Sequence, residues 1–249
     1  MPSIELIPIV DLDSDHQFWI RDMRNRPEVR KVMFTDHVIG VNEHLRWISK
    51  LKSDRSQIVF GIIADHVVGV IGIQQVDFEN RRAEWGFYLA PEERGKGIGR
   101  AVERRFLEFA FETLALEKLN GAVLEGNDDV LQFYLSFGFV EEGFRRLDVL
   151  KSGNRIGVHL LGLTKQDWTA RRNAVASDTY DVKVHWRPEE QVLTPIDQIE
   201  AARARNNVNW MNILRIAIEK SPVHAKEIVA DIQQLDRQIS ELTGRIITD

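Results

Sequence analysis

The chain has 249 residues, of which 43% are hydrophobic, and 33 lysine and arginine residues against 38 aspartate and glutamate residues give a net charge of −5. This length and apolar content suffice for one large domain or two ordinary ones, whereas the acidic balance argues against a broad nucleic-acid-binding surface. The chain contains no cysteine, which excludes disulfides, thiol catalysis and cysteine-ligated metal sites.

The N-terminal segment is acidic and lacks the positive charges of a secretory signal. No apolar run approaches the roughly 18 residues that cross a bilayer. We therefore expect a cytoplasmic protein that binds neither membranes nor nucleic acids. The seven histidines show no close paired spacing, so we also expect no metal site.

The first 90 residues alternate between strand-like and helical patterns. Residues 4–10 predict a strand, and apolar spacing predicts helices over 18–26 and 42–51. Three runs rich in β-branched and aromatic residues follow, separated by short turn signals. These runs predict an antiparallel meander with strands at 58–64, 67–78 and 82–89.

A glycine-rich turn at 94–99 separates the meander from the next group of elements. Apolar spacing predicts a helix from residue 98 to about 114 and a buried strand at 119–125. A helix at 128–136 and a hairpin with strands at 139–150 and 156–163 complete the pattern. The expected fold class is α/β (α+β), with a mixed, mostly antiparallel sheet flanked by helices.

The composition changes after residue 168, and we divide the chain there into a domain at 1–168, a linker at 169–193 and a helical extension at 194–249. The linker is polar, with one short extended segment predicted at 180–186. The extension predicts a helical hairpin, whose second helix has a heptad pattern formed by Ile228, Ile232, Leu235, Ile239, Leu242 and Ile246. Two helices bury little surface alone, so the hairpin either packs internally or docks on a second copy or a partner protein.

The glycines of the 94–99 turn lie between a strand and an amphipathic helix, where backbone N–H groups and the positive helix end can bind an anion. Two familiar phosphate-binding motifs do not fit this turn. Gly99 is followed by Arg100 and Ala101 instead of the Lys-Ser/Thr of a P-loop. Arg100 also replaces the third glycine of a dinucleotide fingerprint. The turn therefore predicts a pyrophosphate site of another kind.

The pattern R-x-x-G-x-G is present as Arg94, Gly97 and Gly99. A strand precedes it, and Asn127, Phe133, Tyr134, Gly138 and Phe139 follow it in that order. With these motifs the chain resembles the GNAT superfamily of acetyl-CoA-dependent acetyltransferases over about residues 1–167. The resemblance implies acetyl-CoA as co-substrate and a mixed sheet of six or seven strands that splays to admit the pantetheine arm.

The resemblance also implies roles for individual residues. Tyr134 is expected to protonate the departing thiolate, for which a phenol of pKa near 10 is suited; the alternative is a tyrosine of the core. Glu84 is the expected base, directly or through water; the alternative is a surface carboxylate. The expected acetyl-CoA-binding residues are Phe87, Leu89, Arg94, Gly95, Lys96, Gly97, Ile98, Gly99, Arg100 and Asn127.

Five basic residues within 21–31, interleaved with apolar and aromatic ones, indicate either a solvated helix face or a pocket for a phosphorylated, partly apolar ligand. The stretches 24–30, 33–37 and 43–45 resemble one GNAT branch, the UDP-4-amino-4,6-dideoxy-N-acetyl-β-L-altrosamine N-acetyltransferases of pseudaminic acid synthesis. That branch acetylates the 4-amino group of a nucleotide sugar in the pathway that supplies flagellin glycosylation. The expected substrate-binding residues are Arg24, Arg30, Met33, His44, Gln74, Gln75 and Tyr88.

Three alternatives remain open at this point. The acceptor is another nucleotide-linked amino sugar, or the protein is an N-terminal or ribosomal-protein acetyltransferase, which predicts an acidic peptide groove. The third alternative is a non-catalytic acetyl-CoA-binding scaffold whose helical extension recruits a partner, against which Tyr134 argues.

Overall fold

The computed structural model describes residues 1–175 and 179–187. These residues belong to the first of two compact units, Met1–Gln191. The second unit, Val192–Asp249, contains the predicted helical extension and lies outside the described residues, as does the proposed docking surface.

The N-terminal part contains one strand and three helices. Helix α1 begins after Asp13, whose side chain accepts the N–H of His16 at 2.9 Å and so caps the helix. The helix therefore starts four residues before the predicted position, because its polar first turn shows no apolar periodicity. The bounds are β1 Ser3–Pro8, α1 Ser14–Asn25, α2 Pro27–Arg30 and α3 Val41–Leu51.

The predicted meander and the elements predicted after it form with boundaries close to those expected, and a helix that was not predicted, α6, follows the hairpin. Helix α4 continues into a π-helical turn, Phe109–Thr113. The bounds are β2 Ile58–Ile63, β3 Val67–Asp77, β4 Arg82–Leu89, α4 Ile98–Glu108, β5 Lys118–Leu124, α5 Asp128–Ser136, β6 Val140–Lys151, β7 Asn154–Thr164, α6 Lys165–Arg171 and β8 Asp181–Val184.

The eight strands of the described part of the chain form one sheet in the order β6-β7-β5-β4-β3-β2-β1-β8. All neighbours are antiparallel except β4 with β5 and β1 with β8. The predicted fold class, a mixed and mostly antiparallel sheet flanked by helices, is confirmed.

Both faces of the sheet are covered by apolar side chains. On one face, α4 and α5 pack over a large cluster that includes the fully buried Phe60, Phe106 and Phe111. On the other face, a smaller cluster lies under α1 and α3 and includes Ile20 and Met23. The helices of the second face come from the N-terminal segment, so the two faces of the sheet are built by different parts of the chain.

The segment predicted as a linker at 169–193 takes part in the sheet. Its residues Asp181–Val184 form β8, which pairs in parallel with β1 from Ser3↔Asp181 to Leu6↔Val184. The extended segment predicted at 180–186 is thus confirmed. The sheet has eight strands instead of six or seven because a polar segment with a single four-residue strand gives little alternation to distinguish it from a loop.

Candidate functional site

A cleft of about 1000 Å³ opens at the centre of the sheet. The parallel pair β4–β5 is in register only from Arg82↔Lys118 to Glu84↔Asn120, although both strands continue beyond that point. The strands therefore diverge after Glu84 and Asn120. We call the side of the cleft formed by β4, β5, residues 94–99 and α5 the cofactor half, and the side formed by α1, α3 and residues 31–36 the acceptor half.

The backbone of β4 presents amide groups to this opening. The N–H of Ala90 donates to Val68 on β3 at 2.9 Å. Successive residues of a strand point their N–H groups to opposite sides, and the β3–β4 register is regular from Gly69↔Leu89 to Gln74↔Glu84. The N–H groups of Leu89 and Phe87 therefore face away from β3, towards the side where β5 has diverged. Both residues line the cleft.

Residues 94–99, hereafter the phosphate loop, close the other end of the cofactor half. Gly95 and Gly97 have φ values of +74° and +83°, which L-residues with side chains rarely adopt. A Cβ at Gly95 would stand in open space, and one at Gly99 would lie 3.5 Å from Phe87 and Leu89. The loop thus exposes backbone at the start of α4 and lets the helix approach β4 closely.

The charges around the phosphate loop favour an anion. Arg94 and Arg100 line the cleft together with Gly95, Gly97 and Gly99, and the loop leads into the N-terminus of the 11-residue helix α4. Unpaired amides and the positive end of the helix attract phosphate groups. These residues fit the pyrophosphate of acetyl-CoA, and the diverging strands fit its pantetheine arm.

Tyr134 lies where the strands separate. Its ring packs edge-on against Trp85, with centroids 4.7 Å apart, and a Cβ at Gly121 would come within 2.9 Å of it. Gly121 is the first residue of β5 beyond the paired region, so this glycine permits the close packing. Burial raises the pKa of the Tyr134 hydroxyl well above its ordinary value, and the nearby Glu103 and Glu84 carboxylates raise the pKa further. The phenol therefore keeps its proton at neutral pH and is available there as a proton donor.

Glu84 also lines the cleft. It lies on the face of β4 opposite to Trp85, because successive side chains of a strand alternate between its two faces. Its Oε1 accepts a hydrogen bond from Asn120 Nδ2 at 3.3 Å, at the last paired position of β4 and β5. Asn127, immediately before α5, also lines the cleft, and its side chain makes no capping bond to the helix. The geometry thus places a carboxylate, a phenol and an amide around one opening.

The acceptor half has an aromatic and apolar wall that includes the half-buried Arg24. Arg24 donates from Nη2 to the carbonyl and Oγ1 of Thr35 at 3.2 and 3.1 Å, and its Nη1 is buried without a hydrogen-bond partner among the described residues. Burial lowers the pKa of Arg24, whose guanidinium is close enough to Tyr88 to interact electrostatically. Met33 and Tyr88 line the cleft beside it.

His44 contributes to the same wall from α3. It is buried, Nε2 lies 2.9 Å from the carbonyl of Gln17, and its ring centroid is 5.5 Å from that of Trp47. Burial lowers the pKa of His44, which favours the neutral ring. In the neutral form, Nε2–H donates to Gln17 and Nδ1 is left as an acceptor.

Residues 31–36 are held in place by the tip of the β6–β7 hairpin. Lys151 Nζ donates to the carbonyl of Arg30 at 2.7 Å and to the carbonyl of Met33. Asp36 accepts from the N–H and hydroxyl of Ser152 at 3.1 and 3.0 Å. These side chains fix the loop whose Val32, Met33 and Phe34 line the acceptor half.

Most of the predicted site residues are brought together by this cleft. Those lining it are Tyr134, Glu84, Phe87, Leu89, Arg94, Gly95, Gly97, Gly99, Arg100, Asn127, Arg24, Met33, His44, Gln74 and Tyr88.

Four predicted residues lie elsewhere. Arg30 donates from Nε to the carbonyl of Asp36 at 2.8 Å, within the acceptor-side loop. Gln75 is exposed, with φ +52° at the β3–β4 irregularity. Lys96 donates to Glu93 at 3.0 Å, and the side chain of Ile98 is buried in the core.

Sequence reasoning missed several residues of the cleft. Trp85, Phe133 and Trp47 line it, and alternation along β4 would have placed Trp85 on the same face as Phe87. It also missed Glu103, which is completely buried on α4 with both carboxylate oxygens lacking a hydrogen-bond partner among the described residues. Burial raises the pKa of Glu103 well above its ordinary value. Glu103 lies four residues after Gly99 and three before Phe106, on the apolar stripe of α4. This spacing is the signal that could have predicted its burial.

The described residues contain neither a metal-binding cluster nor a helix suited to crossing a membrane. Within 1–175 and 179–187, no group of three or more histidine, aspartate or glutamate side chains could hold a metal ion. Over the same part of the chain, no helix combines the length and the apolar character that crossing a membrane would require.

Comparison with known proteins identifies relatives of the cleft-forming domain. Residues 4–140 match the family model described as acetyltransferase (GNAT) domain. The acetyltransferase PseH of Campylobacter jejuni is 31% identical over 132 residues, 53% of this chain and 81% of that protein. A spermidine N(1)-acetyltransferase of Vibrio cholerae is 27% identical over 128 residues, 50% of this chain and 73% of that protein. A crystal structure of the Vibrio cholerae spermidine N-acetyltransferase in complex with CoA and spermine has a TM-score of 0.63 at 22% identity, covering 67% of this chain and 98% of that one.

Proposed function

This chain belongs to the GNAT acetyltransferase family and is an N-acetyltransferase that uses acetyl-CoA, and we propose that its acceptor is a nucleotide-linked amino sugar. The substrate proposed is a UDP-linked 4-amino-4,6-dideoxy-N-acetyl hexosamine, acetylated at the 4-amino group. This reaction belongs to pseudaminic acid biosynthesis and flagellin glycosylation. The resemblance of residues 24–45 to that branch and the similarity to PseH support the proposal.

The observation on which the proposal depends is the state of Arg24. This guanidinium lines the acceptor half with one nitrogen that is buried and unpartnered among the described residues. A buried donor without a partner costs free energy, which an anionic acceptor atom would offset. The surrounding wall of Met33, Trp47 and Tyr88 suits a ligand with apolar or planar parts. A diphosphate joined to a nucleobase and a deoxy sugar combines these properties.

The reaction needs a neutral amine, a polarised carbonyl and a proton for the thiolate. Acetyl-CoA supplies the acetyl group as a thioester. We assign Glu84 the removal of a proton from the acceptor amine, directly or through water. The N–H groups of Phe87 and Leu89 would hydrogen-bond the carbonyl and the pantetheine arm, which stabilises negative charge on the oxygen as the amine attacks. Tyr134 would donate its proton to the departing sulfur.

Polyamines are the competing class of acceptor, since a spermidine acetyltransferase is among the relatives. A polyamine carries several positive charges and is best bound by unpaired carboxylates. In the acceptor half, Glu43 lines the cleft, and it already lies 2.8 Å from His37 Nε2. Glu84 and Asp129 line the cleft from the cofactor half. Arg21 and Arg24 line the acceptor half. This balance favours an anionic acceptor. The same positive character disfavours the acidic peptide groove expected of an N-terminal or ribosomal-protein acetyltransferase.

The test is acetyl transfer by the full chain over a panel of amines, monitored by release of the CoA thiol and mass spectrometry of the product. The panel contains UDP- and dTDP-linked 4-amino-4,6-dideoxy sugars, spermidine and a peptide with a free N-terminus. We expect the highest kcat/KM with the UDP-linked sugar. Spermidine or the peptide as the preferred acceptor would refute the proposal.

Two variants on α1 test the part played by Arg24. Arg24→Ala should raise KM for the nucleotide sugar about tenfold or more, because a charge-assisted hydrogen bond contributes about 1.5–3 kcal/mol. Arg21→Ala is the matched control, since Arg21 also lines the cleft but is paired with Asp22 at 2.6 Å. Equal effects of the two variants would contradict a specific phosphate contact at Arg24.

A further inference from the structure

The segment 179–187, hereafter the β8 segment, lies beyond the part of the chain that matches the GNAT family model, which ends at residue 140. It nevertheless contacts the phosphate loop. The Tyr180 hydroxyl donates to the backbone carbonyl of Lys96 at 3.1 Å. A Cβ built at Gly97 would lie 3.8 Å from Cε2 of Tyr180 and 4.0 Å from Cγ2 of Thr179. The Tyr180 ring therefore packs against the loop at Gly97.

The hydrogen bond to Lys96 constrains the neighbouring amide. The carbonyl of Lys96 and the N–H of Gly97 belong to one planar trans peptide, so they point in opposite directions. Because the carbonyl is directed at Tyr180, the Gly97 N–H is directed away from Tyr180. Gly97 lines the cleft. It is the N-cap residue of α4, with a φ of +83° and no side-chain capping bond.

The β8 segment is itself well anchored. The N–H of Asp181 donates to the Pro2 carbonyl at 3.1 Å and that of His185 to the Leu6 carbonyl at 2.9 Å, at the two ends of the β1–β8 pair. The Trp186 ring packs edge-on against Phe109, with centroids 5.3 Å apart. Tyr180 is therefore attached to a fixed strand, and its hydroxyl can restrict the phosphate loop.

We propose that Tyr180 is a positioning residue for acetyl-CoA, which holds the Lys96–Gly97 peptide so that the Gly97 N–H faces the pyrophosphate. The inference rests on the assignment of the phosphate loop as the pyrophosphate site. Without the tyrosine hydroxyl, this peptide can rotate, since glycine allows several backbone conformations. CoA would then have to order this peptide on binding, and the cost of doing so would lower its affinity. The fold would still be maintained by the β1–β8 pair and Trp186.

The experiment measures the dissociation constant of CoA by calorimetry and the melting temperature with and without CoA, using the full chain. Tyr180→Phe removes only the hydroxyl, so we expect CoA to bind about two- to tenfold more weakly, because the freed Lys96–Gly97 peptide must then be ordered on binding. The melting temperature without CoA should stay the same, and the rise caused by CoA should shrink. Lys183→Ala is the matched control on the same strand, because Lys183 is exposed and paired with Asp181; it should bind CoA as the wild type does.

Gly97→Asp distinguishes failure of this inference from failure of the site assignment. A negative side chain at a residue with φ +83° should weaken CoA binding about 100-fold or more. If Gly97→Asp binds CoA normally, the phosphate loop is not the pyrophosphate site and both statements are wrong. If only Gly97→Asp weakens binding, the loop assignment holds and Tyr180 has no positioning role. A Tyr180→Phe protein that melts at a lower temperature but binds CoA normally would show that the residue is merely structural.

Discussion

The two halves of the cleft are held by different kinds of interaction. In the cofactor half, the groups that we propose to bind acetyl-CoA belong to the backbone of β4 and of the phosphate loop. Two glycines at positive φ set the geometry of that loop within a few residues. In the acceptor half, the wall at residues 31–36 is held by Lys151 and Ser152, which are more than 110 residues away in sequence. The geometry of the cofactor half is thus set by residues that are close together in the chain, so it can be recognised as a sequence motif. The acceptor half depends on tertiary contacts and can change while the motif stays intact.

We expect the largest effect from loss of the Tyr134 hydroxyl, the proposed proton donor. Tyr134→Phe removes the hydroxyl and keeps the ring against Trp85 and Gly121. General acid catalysis contributes about 10²- to 10⁴-fold, so kcat should fall by that range. The affinity for CoA and the KM of the acceptor should change little. Steady-state kinetics and calorimetry measure these quantities.

Tyr88→Phe is the matched control for this variant. Tyr88 is the other tyrosine of the cleft, and burial raises its pKa above the ordinary value too. Tyr88 is close enough to Arg24 of the acceptor half to interact with it electrostatically, so loss of the Tyr88 hydroxyl should leave kcat within a few-fold of the wild type. Equal losses of kcat in both variants, or a wild-type kcat for Tyr134→Phe when chemistry limits the rate, would remove Tyr134 from the mechanism.

An intermediate effect is expected when the acceptor half alone is disturbed. Lys151→Met keeps much of the side-chain volume and removes the ammonium that binds the carbonyls of Arg30 and Met33. The loop at 31–36 should become more mobile, and KM for the acceptor should rise about tenfold, equivalent to about 1.4 kcal/mol. The KM for acetyl-CoA should stay the same, which kinetics with each substrate varied in turn would show.

Lys118→Met provides the comparison for Lys151→Met. Lys118 also binds with its ammonium, to Glu142 at 2.7 Å, but it lies on β5 at the paired end of β4 and β5. The Lys118→Met substitution should therefore leave the KM of both substrates unchanged. A rise in the KM for acetyl-CoA in Lys151→Met would contradict the independence of the two halves.

The same distinction explains what the sequence could predict. The fold class, the meander and the glycine turn follow from periodicity and from residues that need a particular backbone conformation. The role of Lys151 could not be predicted, because residues 151–154 resemble an ordinary hairpin turn and their partners are distant in sequence. Arg30 was expected to face substrate for a similar reason: its charge is visible in the sequence, whereas its bond to the Asp36 carbonyl is a product of the loop's conformation.

The smallest effect concerns stability and tests the buried carboxyl group of Glu103 on α4, the helix that follows the phosphate loop. Glu103 is fully buried, and burial raises its pKa in the folded state, whereas in the unfolded chain a glutamate has a pKa of about 4.3. Above that pH the unfolded state loses the proton and the folded state retains it. The free energy of unfolding therefore falls as pH rises, by at most about 1.4 kcal/mol per pH unit, until the folded-state pKa is reached.

Glu103→Gln is neutral at every pH and should remove this dependence. We expect the variant to be more stable than the wild type at pH 7, with a difference that shrinks towards zero near pH 4, as urea unfolding at a series of pH values would show. Glu108→Gln is the matched control on the same helix, because Glu108 is paired with Arg104 and Arg105 at the surface, so its loss should give a small destabilisation instead. A stability difference between Glu103→Gln and wild type that is constant from pH 4 to pH 8 would mean that Glu103 is ionised in the fold. In that case its negative charge would add at neutral pH to that of Glu84, and both would help burial to keep the Tyr134 phenol protonated.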